Sequence, residues 1–320
     1  MTSPLIDFLM RELRISERDV HTLISTAPDR YKVYQIKKRT GGLREIAHPA
    51  SELKIAQRAI VKEYLANLPV HPCATAYRPG SSIRRNAEIH AHNGPILKYD
   101  FKNFFPSITE RAWISYCLEH DLFDREDAIR SGRLLFRRPK GGRILRLSIG
   151  APSSPLVSNV LMNKFDNELH ERVSRHKITY TRYADDLTFS ALRTGNLDVV
   201  DRILRSVINR VSSPKLVINT EKTVLVTPKF RRQITGLILT NDGRVSLGRE
   251  RKRKIRAEVH HFALGKLELS AQANLAGTLA FAKDVDPEFF TRMERVYGKD
   301  LIDRLKQGVK NYKRPIILKR

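Results

Sequence analysis

The sequence predicts an α+β fold that ends in a helical, strongly basic part. Three observations predict it. Short β-branched and aromatic runs alternate with segments of helical spacing, in the pattern of a mixed α+β body. The 320 residues are 41% apolar, enough for a large core, and the length points to about two domains. The charge is lopsided, with 59 Lys plus Arg against 34 Asp plus Glu, a net +25. From Lys229 onward the chain holds 22 basic and 10 acidic residues.

The elements follow in order. Met1 to Phe8 looks like the start of a helix. Ser16 to Asp19 has the form of a capping box opening a helix through Val20, Leu23 and Ile24. Tyr31 to Ile36 and Leu43 to Ile46 flank a basic turn with Gly41 and Gly42, which predicts a hairpin. Ser51 caps the next predicted helix, with Leu53, Ala56, Ile60, Tyr64 and Leu65 near helical spacing. Leu68 to Gly80 reads as loop, Pro95 to Phe101 as a short strand carrying an acid at its end, and Thr109 to His120 as helix. Arg133 to Arg146 is expected to be a hairpin or mobile loop. A helix is expected from Ser153 or Ser154, before Pro155, to His170. Thr179 to Tyr183 and Leu187 to Phe189 predict two strands around a tight turn. A helix over 196–211, a strand over 215–218 and a hairpin around Asn241 to Gly243 complete the body. The run Arg249, Arg251, Lys252, Arg253, Lys254 and Arg256 would cover most of a helix circumference, leaving Ile255 and Val259 as anchors.

The charge implies a polyanionic partner, nucleic acid above all. A membrane surface is the rival, but no long apolar run and no signal peptide appear. Two cysteines, Cys73 and Cys117, make neither a disulfide framework nor a zinc cluster. They predict reduced core thiols in a cytoplasmic protein.

Asp185 and Asp186 close the turn Tyr183-Ala184-Asp185-Asp186. Adjacent carboxylates at a hairpin tip repel each other and lose solvation, which is costly unless a cation joins them. Such oxygen ligands suit magnesium, with manganese as an alternative. An ordinary Asp-containing turn is the plainer possibility, and a third carboxylate decides against it. Asp100, at the end of an apolar strand, is that carboxylate. Three such groups can hold two divalent ions about 3.5–4 Å apart, an arrangement that performs in-line phosphoryl transfer.

Asp100 with its following aromatics, the run Gly150-Ala-Pro-Ser-Ser-Pro155, and Tyr183 to Asp186 occur in the order of reverse transcriptase palm motifs. Leu216 to Thr223 resembles the motif that follows, with Lys222 in the lysine position. Asn86-Ala-Glu-Ile-His90 matches the Asn-Ala-x-x-His element of bacterial retron reverse transcriptases, and Ile234-Thr235-Gly236 resembles their Val-Thr-Gly element. The resemblance spans Arg30 to the C-terminus. It implies a right-hand polymerase fold of fingers, palm and thumb, with an antiparallel palm sheet and a helical basic thumb. Residues 1–30 would form an N-terminal helical extension, 31–230 interleaved fingers and palm, and 231–320 an RNA-binding thumb.

The resemblance also distributes roles. Asp100, Asp185 and Asp186 are the implied catalytic metal ligands, with the Phe101 carbonyl as a further one. Phe105 stands where the family carries a bulky gate against the ribose 2′-hydroxyl. Arg44, with a lysine at 37 or 38, would grip the triphosphate, Arg44 being preferred because its fork suits phosphate. Gly150 would admit close nucleotide approach, and Lys222 would assist pyrophosphate departure. Asn86, His90, Thr235 and Gly236 would serve cognate-RNA recognition or structural coupling, and Arg251, Lys252, Lys254 and Arg256 RNA phosphates. The chain departs from the family at Ile149, where many members carry Gln, so altered nucleotide contacts are expected.

The implied activity is RNA-directed DNA synthesis from dNTPs on a dedicated structured noncoding RNA. It would be primed by an RNA 2′-hydroxyl and give branched msDNA. Host ribonuclease H would remove the template, and an effector protein would complete an anti-phage system. The alternatives are a general or group II intron-like reverse transcriptase, and a non-catalytic RNA-binding protein of the same fold.

Overall fold

A computed structural model describes residues 3–38 and 41–310. The tail of the expected thumb, 311–320, lies outside the described residues, as do Arg39 and Thr40 in the glycine turn.

Helix α1 (Pro4–Leu13) opens on Ser3, whose hydroxyl accepts the Ile6 amide, with Pro4 at the first helical position. Helix α2 (Glu17–Thr26) carries the expected capping pair: Ser16 Oγ accepts the Asp19 amide at 3.2 Å and donates to the Asp19 carboxylate at 2.7 Å. Strands β1 (Tyr31–Lys37) and β2 (Leu43–Pro49) pair antiparallel, Tyr31 opposite Pro49 and Lys37 opposite Leu43. Helix α3 (Ser51–Ile60) is capped by Ala50, so Ser51 is its first helical residue rather than its cap. Helix α4 (Ile83–Glu88) follows a long connection, then strand β3 (Ile96–Asp100) and helices α5 (Phe104–Ser107), α6 (Glu110–Glu119) and α7 (Arg125–Leu135). The basic stretch 133–146 divides: its start completes α7, and Arg137 bridges antiparallel to Arg146. The single helix expected before the Asp pair is two, α8 (Ser154–Leu161) and α9 (Asn163–Ser174), broken at Met162.

Strands β4 (Thr179–Tyr183) and β5 (Asp186–Ser190) form the expected hairpin. Helix α10 (Val200–Arg210) is followed by strand β6 (Val224–Val226). The strand expected over 215–218 is absent; Ile218 makes one bridge to Phe101. Short strands β7 (Gln233–Ile234), β8 (Leu237–Leu239) and β9 (Val245–Ser246) precede helices α11 (Arg249–Ala263), α12 (Leu269–Val285), α13 (Pro287–Tyr297) and α14 (Lys299–Lys310).

Two compact units emerge, one of residues 1–81 with 97–225, the other of 82–96 with 226–320. In the first, the sheet β4-β5-β3-β6 and the surrounding helices enclose a core that includes Trp113, Phe136, Phe165 and Phe189, all fully buried. Cys73 and Cys117 are free thiols within it. In the second, α4 joins β7-β8-β9 and the C-terminal helices around Leu237, Val259, Leu275, Leu279 and Phe289. As expected, Ile255 and Val259 anchor α11, at 1% and 0% exposure. Among the described residues no helix is long and apolar enough to cross a membrane.

Candidate active site

The first unit contains a cleft of about 600 Å³ lined by Lys38, Arg44, Asp100, Phe105, Asp185 and Lys222, among others. It is built from the sheet outward. The hairpin register sets Tyr183 opposite Asp186, which leaves Ala184 and Asp185 as a two-residue turn, and Ala184 takes φ +58. The neighbouring β3 ends at Asp100, and the Phe101 amide donates to the Asp185 carbonyl at 3.1 Å. The strand end and the hairpin tip are thereby joined through the backbone.

The three carboxylates share one environment. Burial and the Asp100 charge raise the Asp185 pKa, against the opposing pull of Lys222 and Arg44. Burial, Asp185 and Asp100 together push Asp186 up to about 6, and its side chain hydrogen-bonds to Asp100. Lys222 Nζ lies 3.0 and 2.9 Å from the two Asp100 oxygens. Among the described residues no three His, Cys, Asp or Glu side chains form a ready metal cage. The surplus negative charge, opposed by Lys222, Arg44 and Lys98, is nonetheless the electrostatic situation that a divalent cation relieves. The donor set, oxygen throughout, suits magnesium or manganese. Asp100 and Asp185 line the cleft; Asp186 does not.

The other anticipated residues fall in distinct places. Arg44 sits opposite Ile36 near the end of the β1–β2 hairpin, exposed and facing the cleft, and Lys38 lines it too. Phe105, partly exposed on α5, lines the cleft beside Phe101. Ile149 lines it, and its carbonyl accepts the Ala47 amide at 2.8 Å. Gly150 is not a lining residue. Its φ is +120, and a Cβ there would meet His48 Cδ2 at 2.6 Å and the Ala47 carbonyl at 3.0 Å. The close approach that its glycine permits is to β2, not to a nucleotide.

In the second unit, Asn86 and His90 are fully buried, and burial lowers the His90 pKa to about 3, which keeps the ring neutral. Neither presents a surface to solvent in this structure. Thr235 and Gly236 form the two-residue turn between β7 and β8, with φ +46 and +83. The Thr235 hydroxyl donates to the Ile83 carbonyl at 3.2 Å, tying this turn to α4. Lys252 turns inward to Asp286 at 2.7 Å and lies over the Phe289 ring. Arg251 is partly buried over Phe281; Lys254 and Arg256 are exposed, the first 3.8 Å from Glu258 and the second with its guanidinium over the Phe289 ring.

Sequence reading missed the support beneath the Asp turn. Arg182 is fully buried, and its Nε and Nη2 grip both oxygens of buried Asp166 at 2.6–3.0 Å. Its Nη1 donates to Asn159 Oδ1 at 3.2 Å and to the Ala184 carbonyl at 3.1 Å. Tyr180 adds a hydroxyl to Asp166 at 2.9 Å. A charged residue inside an apolar strand demands a buried partner, and that was the available signal. Buried Arg232 likewise clasps the carbonyls of Asn93, Gly94 and Thr240.

The comparisons define the class first. Residues 36–255 match the family model described as reverse transcriptase (RNA-dependent DNA polymerase). The chain is 37% identical to the retron Ec83 reverse transcriptase of Escherichia coli, over 90% of this chain and 94% of that protein. It is 31% identical to the retron Ec86 enzyme of the same organism, over 93% and 92% respectively. A telomerase solved from Candida albicans is similar at TM-score 0.48 and 14% identity, over 88% of this chain and 61% of that one. The chain belongs to the retron reverse transcriptase family. It is an RNA-directed DNA polymerase with the right-hand polymerase fold of that family.

Proposed function

We propose that this polymerase copies part of a cognate structured RNA into msDNA, starting from an RNA 2′-hydroxyl, at the site formed by Asp100, Asp185 and Asp186. The observation that carries the reading is the convergence of Asp100 and Asp185 with Arg44, Lys38 and Lys222 in one cleft, with Asp186 hydrogen-bonded to Asp100. Asp100 and Asp185, with Asp186 behind them, would hold magnesium. Bound there as two ions, magnesium lowers the pKa of the attacking hydroxyl and neutralises the triphosphate and leaving pyrophosphate. The Phe101 carbonyl is a further oxygen at the same strand end.

Arg44 and Lys38 face the cleft from the β-hairpin, in position to grip the triphosphate of a dNTP. Lys222, released from Asp100 when a cation takes that carboxylate, places its ammonium beside the departing pyrophosphate. Phe105 closes the sugar side against a 2′-hydroxyl. The first unit supplies fingers and palm. The second, with residues 82–96 built into it, supplies the thumb, where Lys254 and Arg256 contact RNA phosphates. A retron identity carries with it a template RNA, host ribonuclease H, an effector protein and a cytoplasmic role in anti-phage defence.

The test is expression of the chain with its neighbouring DNA, followed by analysis of small nucleic acids. A short DNA that changes size after ribonuclease and after debranching treatment is expected. Linear cDNA alone would reduce the reading to a general reverse transcriptase. Replacing both Asp185 and Asp186 with Ala should abolish synthesis while RNA binding in a gel-shift assay persists. Residual synthesis at the parent rate would remove these residues from the chemistry.

A further inference from the structure

The cleft contains a second aromatic side chain for which the active-site roles above do not account. Tyr77 lines it and is 47% exposed, in the non-glycine left-handed conformation at φ +60. A large aromatic left open to solvent in a polar cleft, on backbone that an L-residue rarely adopts, calls for a reason.

The surroundings hold Tyr77 in place from both sides. The Ala76 carbonyl accepts from Asn159 Nδ2 at 2.9 Å, and the Thr75 amide donates to the Arg182 carbonyl at 2.8 Å. Arg78 Nη1 closes the loop onto the His71 carbonyl at 3.2 Å. Asn159 and Arg182 belong to the same buried cluster that supports the Ala184 carbonyl. One network therefore positions both the Asp185 turn and the backbone that carries Tyr77.

The Tyr77 ring meets Phe105, with centroids 6.4 Å apart and planes tilted by 55°. Phe105 also meets Phe104 at 5.3 Å, and Phe104 is buried and stacked on Phe101. A steric gate discriminates only if its ring cannot swing aside, and a rotamer shift of a partly exposed ring is cheap. Phe104 and Tyr77 are the two rings packed against Phe105. Tyr77 shares the cleft with Asp185 of the hairpin turn and with Arg44 of the β1–β2 hairpin.

We infer that Tyr77 is a positioning residue for sugar selection: its ring braces Phe105 and thereby sets the discrimination between deoxy- and ribonucleotides. The inference rests on the reading of Phe105 as the gate. Aromatic pairs of this kind contribute about 0.5–1.5 kcal/mol, equivalent to about 2- to 10-fold in a rate ratio.

The experiment compares Phe105→Ala, Tyr77→Phe, Tyr77→Leu and Tyr77→Ala in the full chain on a primed RNA template. It measures kcat/KM for a dNTP and the matching ribonucleotide, with melting temperature as the fold control. Tyr77→Ala and Tyr77→Leu are expected to lower the deoxy-to-ribo ratio about 2- to 10-fold, through faster ribonucleotide use, with unchanged melting. Tyr77→Phe is expected to restore the parent ratio because it keeps the ring. If Phe105→Ala collapses the ratio and Tyr77→Ala leaves it intact, the brace is overturned and the gate stands. If Phe105→Ala leaves the ratio intact, the gate reading fails and the brace falls with it. An equal loss for both nucleotides in Tyr77→Ala, or a ratio that Tyr77→Phe fails to restore, also overturns it.

Discussion

Asp166→Asn isolates the buried support of the catalytic turn. The substitution is nearly isosteric, so it leaves the cavity filled while removing the charge and turning one of the two acceptor oxygens that Arg182 and Tyr180 use into a donor. Both side chains of the Arg182–Asp166 pair are 0% exposed. Breaking such a pair leaves the guanidinium uncompensated in the interior, at a cost of about 3–5 kcal/mol. That is a large share of a folding free energy of about 5–15 kcal/mol. For a unit of about 200 residues, each kcal/mol corresponds to about 2–4 °C, so the midpoint should drop by about 6–20 °C. The same guanidinium holds the Ala184 carbonyl, one residue before Asp185. DNA synthesis per folded molecule should therefore fall as well, measured well below the new midpoint. Glu171→Gln, which breaks a pair with Arg175 that is 70% and 61% exposed, serves as the control and should leave the midpoint unmoved. A parent-like midpoint in Asp166→Asn would refute the energetic argument. A lowered midpoint with full kcat would show that the pair stabilises the unit without positioning the turn.

Other outcomes follow from the same reasoning. Gly150→Ala should destabilise the chain by about 1–3 kcal/mol, because the new Cβ meets both His48 and the Ala47 carbonyl on strained backbone; adding His48→Ala should recover only part of the melting temperature. His90 is held neutral with a pKa of about 3 against an ordinary 6.5. Its contribution is therefore complete above pH 6.5, and stability is lost as pH falls toward 3, by up to about 1.4 kcal/mol per pH unit. Melting of His90→Gln between pH 7 and pH 5 should accordingly show a flatter slope than the parent. Lys254→Ala with Arg256→Ala should lower the salt slope of RNA binding by about 1–2; an unchanged slope would take these two exposed residues off the RNA.

Much of the local structure was legible because it is local. The Ser16 cap, the glycine hairpin after Lys37, the two-residue Asp turn and the Ile255–Val259 anchor depend on neighbours within a few residues, and each stands where its residues predict. The misses have long-range causes. Lys215 to Ile218 has β propensity, but it gains only an isolated bridge from Ile218 to Phe101 and a hydrogen bond from the Lys102 amide to the Val217 carbonyl, and β6 takes the strand position instead. The helix expected to run unbroken to His170 stops at Met162, and no proline or glycine stands there to announce it. For Asn86 and His90 the motif left RNA recognition and structural coupling both open; their burial is a property of the packing around α4, which no local pattern announces.

By itself the sequence determined the family of this protein and supplied what the proposed chemistry needs: three acids at a strand end and a hairpin tip, the order of the motifs and the basic surplus. These are matters of residue type and spacing, which the chain carries without folding. The tertiary structure decided which groups meet. It put Lys222 on Asp100, Asp166 on Arg182 beneath the turn, β2 against Gly150 and Tyr77 against Phe105. Each pairing joins residues far apart in sequence. No local periodicity encodes them, because burial and the demand to neutralise or pack what is buried act only once the chain has closed on itself.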